Sequence, residues 1–93
     1  MSQSAVIKKF MQLTSIGLQA VNINLDIVEE ENCVIVRDYI VDFESGIQVF
    51  NANSPEVPFA TFPSDAISSA VSFICIQIAT GIITRSIEDA ENA

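Results

Sequence analysis

The sequence predicts an α+β domain in which a four-stranded antiparallel meander is flanked by an N-terminal helix and a long C-terminal helix packed on one sheet face. Three observations predict this class. Apolar residues recur with helical spacing near the N-terminus, the period changes to two near residue 21, and a long isoleucine-rich segment of helical period follows after residue 63. The chain of 93 residues has the length of one small domain, and residues 1–93 are assigned to it.

The first predicted helix runs from Ser4 to roughly Leu18. Its polar side carries Lys8 and Lys9, and Gly17 either ends the helix or lets another element approach closely. The inner side is predicted to carry Ile7, Phe10 or Met11, Leu13 and Leu18.

Residues 21–43 are predicted to form two strands. Residues 21–28 alternate between apolar and polar, with Val21, Ile23, Leu25 and Ile27 on one side. A turn is expected at residues 29–32, and a second strand at residues 33–43. Neither side of the second strand is purely apolar, which favours a bulge near residues 37 and 38 or cover on both faces.

Two further strands are predicted before the long helix. Gly46 occupies a connection where a positive φ is expected, and residues 47–52 form the third strand. In the fourth strand, residues 57–62, Pro58 cannot donate to a ladder, so this strand is short or lies at an edge. Large side chains for the long helix to pack on are expected from Phe50, Phe59 and Phe62.

The long helix is predicted within residues 63–92, with its start at Pro63, Ser64 and Asp65. Residues 66–84 carry no charge. One apolar stripe recurs at steps of three and four and should face the core. It consists of Ile67, Val71, Ile74, Ile78 and Ile82, with Cys75 at the margin.

A second apolar side of this helix requires another surface to bury it. It consists of Phe73, Ile76, Ala79 and Ile83. Self-association is the preferred interpretation, with a heterologous protein as an alternative. A bilayer span at residues 66–84 is the membrane alternative, but Gln77, the acidic flanks and the lack of an aromatic girdle argue against it.

The charge of the chain restricts its partners. Twelve acidic and four basic residues with no histidine give a formal charge of -8. Direct nucleic-acid binding and binding to anionic membranes are disfavoured, and a basic protein surface is favoured. Solubility alone is the competing explanation of the acidity.

The sequence contains no recognisable catalytic constellation. Without histidine there is no Ser-His or Cys-His pair. The acidic run 29–31 lacks the ligand pattern of a calcium loop, and Asp38 and Asp42 stand four residues apart on a predicted strand, too far for paired acid and base work. Cys33 and Cys75 are isolated, which indicates buried thiols in a reducing cytoplasm. We therefore expect no enzyme activity, no metal and no cofactor.

The sequence favours a small acidic inhibitor or adaptor that binds protein, acts as a homodimer and imitates a polyanion, as phage-encoded inhibitors and toxin-immunity proteins do. In size and acidity the chain resembles secretion chaperones and small phage inhibitors, although no motif supports either family. The alternatives are a tail-anchored membrane protein and a purely structural small oligomeric protein. The predicted partner-binding residues are Asp26, Glu29, Glu30, Glu31, Asp38 and Asp42.

Overall fold

The structure, a computed structural model, describes residues 3–24 and 26–92. Helix α1 (Gln3–Ala20) precedes five strands, and helix α2 (Ile67–Glu91) follows them. The strands pair antiparallel with their neighbours in chain order, so the predicted meander and the α+β class are confirmed, with five strands in place of four. The strands are β1 (Ile27–Glu30), β2 (Cys33–Val36), β3 (Tyr39–Asp42), β4 (Ile47–Asn51) and β5 (Ala60–Phe62).

The additional strand arises because residues 33–43 form a hairpin. Arg37 adopts a φ of 54°, a left-handed conformation that turns the chain between β2 and β3. Val36 and Tyr39 then pair directly across the turn. The prediction of a single strand here, either with a bulge or with cover on both faces, is therefore wrong.

The first strand begins later than its alternating pattern predicted. Asn22 has a φ of 59°, and the Ile23 N–H donates to the Leu18 carbonyl at 2.9 Å. This is a Schellman closure, which extends α1 to Ala20 and excludes residues 21–24 from the sheet. Leu25, predicted within this strand, lies outside the described residues. The following turn is also shorter than expected, because residues 29 and 30 belong to β1.

One core joins the two helices to a single face of the sheet. The sheet contributes alternate residues from β2, β3 and β4, and this alternation defines what we call the inner face. The fully buried strand residues are Val34, Val36, Val41, Ile47 and Val49. The helices contribute Ile7, Phe10, Leu18, Ala70, Ile74 and Ile78 to the same cluster.

The two helices approach closely at Gly17. A Cβ placed there would lie 2.8 Å from the Cys75 Sγ, so the prediction that this glycine permits close packing is confirmed, and it does not end the helix. Thr14 is fully buried on the same helix. Its Oγ1 has no hydrogen-bond partner among residues 3–24 and 26–92.

Helix α2 begins one turn after the predicted start signal. The Ala66 N–H donates to the Pro63 carbonyl at 3.0 Å, and Ala66 caps the helix without a side-chain hydrogen bond. The expected caps Ser64 and Asp65 lie in the preceding turn. The predicted inner stripe is confirmed, because Ile74 and Ile78 are buried and its other members pack against the core.

An aromatic group closes the β5 side of the core. The Phe73 ring of α2 lies 5.7 Å, centroid to centroid, from both Phe59 and Phe62. Phe50 does not join them, because it pairs with Ile40 in the register of the opposite sheet face. The prediction that Phe50 supports the long helix is therefore wrong, whereas the edge position of β5 is confirmed.

Candidate binding surfaces

The six predicted partner-binding carboxylates divide between the two ends of the sheet. Residues 29 and 30 end β1 and Glu31 begins its turn, while Asp42 ends β3 at the same end of the sheet, with β2 between them. The Asp42 Oδ1 accepts the Glu44 N–H at 2.8 Å, which places a fifth carboxylate at this end. We call Glu29, Glu30, Glu31, Asp42 and Glu44 the tip cluster.

Asp26 and Asp38 lie at the opposite end. The Asp26 carbonyl accepts the Arg37 N–H at 3.4 Å, and the Asp38 carboxylate forms an ion pair with Arg85 at 2.9 Å. These two acidic residues therefore share their end of the sheet with two guanidinium groups. Within the described residues, the Asp38–Arg85 pair is the one ion pair, so no ion pair involves the tip cluster.

The pKa of the Cys33 thiol is affected by the charge of the tip cluster. Cys33 pairs with Glu30 on one side and with Asp42 on the other. Burial raises the pKa of the Cys33 thiol, and the carboxylates of Glu30 and Asp42 raise that pKa further. The two carboxylates therefore flank the thiol on the sheet face opposite the helices.

The same outer face carries an apolar row that the sequence prediction missed. Val28 pairs with Ile35, Ile35 with Ile40, and Ile40 with Phe50, so the four side chains cross four strands in line. Val28 is 45 % exposed, and the other three are half-buried without belonging to the core cluster. We call these four residues the outer row. The signal was present as alternation, but without the turn at Arg37 the strand register could not be derived.

The predicted self-association residues on α2 do not share one environment. Ile76 and Ile83 are each 60 % exposed, whereas Ala79 is half-buried and Phe73 packs on the aromatic group. Ile87, which the prediction omitted, extends the exposed line by one turn and is 55 % exposed. We call Ile76, Ile83 and Ile87 the α2 stripe.

Two clefts of the described structure do not gather reactive groups. One has a volume of about 40 Å³ and lies beside the Asp38–Arg85 ion pair, whose charges satisfy each other. The other, of about 280 Å³, is an open cleft between Val6, Phe43 and Ser64. The described residues contain no group of three or more His, Cys, Asp or Glu that could hold a metal ion.

Helix α2 also has the length and apolar composition of a membrane span, with a mean hydropathy of 1.8 in a window that is 17 % buried. Such a window is weak evidence, because core helices of soluble proteins meet the same criterion. Comparisons of the chain with protein family models, curated proteins and solved structures found no significant match.

Proposed function

We propose that this protein is a non-enzymatic binding module of the cytoplasm, a small acidic inhibitor or adaptor that docks on a basic surface of another protein and acts as a homodimer. The observation that carries the proposal is the tip cluster. Five carboxylates of β1, β3 and the adjoining turns lie at one end of the sheet, and the guanidinium groups of Arg37 and Arg85 lie at the other end.

This asymmetry of charge favours encounters in which a basic partner meets the tip-cluster end of the sheet. Exposed carboxylates that are not paired internally retain their field in solution, and that field accelerates encounter with a basic surface. The field decays over about 10 Å at 0.1 M salt, so it acts on partners that approach this end of the sheet. Binding through the tip cluster should therefore weaken steeply as salt rises.

The test is capture of host proteins on the tagged protein, quantified at low and high salt. The test variant replaces the three glutamates of the tip by glutamine (Glu29→Gln, Glu30→Gln and Glu31→Gln). The control changes charge by the same amount on exposed residues at the end of α2 (Glu88→Gln, Asp89→Asn and Glu91→Gln).

A basic protein that is captured by the native chain and the control, but lost by the tip variant and at high salt, is the expected result. Capture that is equal at low and high salt, or capture that both variants lose equally, would contradict docking through the tip cluster.

The homodimer is assigned to the α2 stripe because this line carries no charge. Ile76, Ile83 and Ile87 recur at steps of seven and four, which places them on one side of the helix. In a protein of net charge -8, such a line lets two copies approach with little repulsion.

The dimer is tested by light scattering at micromolar concentration. Ile76→Glu should give a monomer, while Ile16→Glu on α1, where the native side chain is 56 % exposed, should leave the dimer intact. A native protein that is monomeric at this concentration would exclude the α2 dimer, and a dimer that survives Ile76→Glu would place the contact elsewhere.

The hydropathy of α2 supports a second candidate function, a tail-anchored membrane protein with residues 66–84 in the bilayer. Insertion would require Ala70, Ile74 and Ile78 to leave the core, where they are buried. Native protein that remains with membranes after a salt wash and is released by detergent would support this candidate. Recovery in the soluble fraction without detergent would exclude it.

A further inference from the structure

The outer row is a continuous apolar strip of defined dimensions. It spans four neighbouring strands, and a spacing of about 4.8 Å between strands gives it a length of about 14 Å. An α-helix covers that length in roughly ten residues. The strip is therefore long enough for two to three turns of a partner helix.

Among residues 3–24 and 26–92, neither helix covers the strip. Both helices pack on the inner face, where the core residues of the sheet lie, and the outer row contributes nothing to that core. Ile40 and Phe50 are half-buried, and their strands each have a neighbouring strand on both sides. Their outward surfaces remain available to another molecule.

An acidic row runs beside the apolar one. Glu30, Cys33 and Asp42 are cross-strand neighbours, two residues along their strands from Val28, Ile35 and Ile40, respectively. Two residues of a strand correspond to about 7 Å. A partner seated on the apolar strip would therefore place its own flanking side chains within reach of the carboxylates of Glu30 and Asp42.

We propose that the outer sheet face binds a segment of another protein that carries an apolar stripe with lysine or arginine along one side, such as a basic amphipathic helix. The inference rests on the proposed function and adds to it the chemistry of the partner. The apolar strip supplies the buried contact, and the adjacent carboxylates select the orientation and the charge of the segment.

Charge decides against a second copy of this chain as the occupant. The outward strand positions of the sheet carry the two carboxylates and no lysine or arginine. Two copies placed face to face would bury Glu30 and Asp42 without cationic partners on those positions. Burial of an unpaired charge is unfavourable, so the partner must bring the cations.

The probe is an amphipathic helical peptide of leucine and lysine, about 14 residues long, and the matched control peptide has glutamate in place of lysine. Binding is measured by titration into isotopically labelled protein, with amide chemical shifts as the site-specific readout. The test variant is Ile40→Gln, in the middle of the outer row. Its control is Ile16→Gln, which removes an exposed isoleucine from α1.

We expect shifts on β2 and β3, affinity about tenfold weaker for Ile40→Gln, and unchanged affinity for Ile16→Gln. Retention of the native spectrum by Ile40→Gln would show that loss of binding is not loss of fold. Glu30→Gln, which removes one carboxylate and keeps the apolar row, should weaken binding at low salt only.

Binding that stays salt-dependent and confined to the tip cluster, with Ile40→Gln as tight as native, would overturn this inference and leave the proposed function standing. A lysine peptide that fails to bind at low salt would overturn this inference, while the proposed function is decided separately by capture with the tip variant. Equal binding of the glutamate peptide would show that charge does not select the occupant, which also contradicts the proposal.

Discussion

Both faces of the sheet carry a row of apolar residues, but the two rows have different neighbours. On the inner face, Val34, Val41 and Val49 pair across three strands and are fully buried under the helices. One residue away on the same strands, Ile35 and Ile40 pair on the outer face without helical cover. Apolar character thus shows that a side chain gains from burial, but not which molecule supplies the cover.

The largest expected difference between the faces is the cost of truncating the same residue type. Ile47→Ala on the inner face should lower the free energy of unfolding by about 3 kcal/mol, since it leaves a cavity in a closed core. Ile40→Ala on the outer face should lower it by about 1 kcal/mol, because part of its surface is already in water. Urea unfolding followed by circular dichroism measures both values.

Equal losses for the two variants would contradict the assignment of inner and outer faces. The dependence on protein concentration separates two causes of such a result. If a second copy covers Ile40, the loss of unfolding free energy caused by Ile40→Ala should rise with protein concentration. If an element of the same chain covers Ile40, that loss should not depend on concentration.

The sequence predicted the helices better than the sheet, and the reason lies in the turns. The inner stripe of α2, including Ile74 and Ile78, could be read from spacing because helical period is a local signal. The hairpin at Arg37 could not, because arginine is rare at positive φ and carries no turn signature. Asn22 did carry one, since asparagine suits the left-handed position that ends a helix.

Errors at those turns also limited prediction of the binding surfaces. The outer row depends on pairings such as Ile35 with Ile40, which exist only if the chain reverses between them. The grouping of carboxylates has the same origin, since the reversal places Asp38 beside Arg85 and Asp42 beside the tip. The acidic residues were evident from the sequence, but their division between two ends was not.

The next prediction concerns the turn that holds β4 in register, with Ile47 facing inward. Gly46 has a φ of 71°, and a Cβ there would lie 3.0 Å from the Phe62 carbonyl oxygen. Gly46→Ala should therefore destabilise the protein by about 1–2 kcal/mol, measured by thermal unfolding. The control is Gly81→Ala in α2, where a Cβ meets nothing within 4 Å. It should stabilise the helix by roughly 0.5–1 kcal/mol.

If Gly46→Ala proves neutral, the turn adapts at no cost and does not fix which side chains face the helices. A Gly81→Ala variant that is destabilised would instead show that another group packs against α2 at that point. A neutral Gly46→Ala would mean that this turn is not the reason why the two faces differ. A destabilising Gly81→Ala would add a neighbour of α2 to the comparison of the two faces.

The smallest expected effect compares the two thiols. Burial raises the pKa of Cys33 and of Cys75 above the ordinary value of 9.0, but only Cys33 has the added influence of Glu30 and Asp42. Raising salt from about 0.05 to 1 M should lower the pKa of Cys33 by screening these carboxylates and leave that of Cys75 unchanged. Rates of iodoacetamide alkylation against pH, resolved by peptide mass spectrometry, measure both values.

The direction of these pKa shifts determines how the free energy of unfolding depends on pH. A raised pKa means that the folded state holds the thiol proton more tightly than the unfolded chain. The resulting stabilisation is complete below the unfolded pKa and is lost as pH rises through the folded pKa, so unfolding should become easier above about pH 9. Glu30→Gln should reduce the part of this pH-dependent loss of stability that comes from Cys33, and should not change the part that comes from Cys75. If salt and Glu30→Gln leave the Cys33 titration unchanged, its carboxylate neighbours are too distant to select a basic partner on the adjacent apolar row.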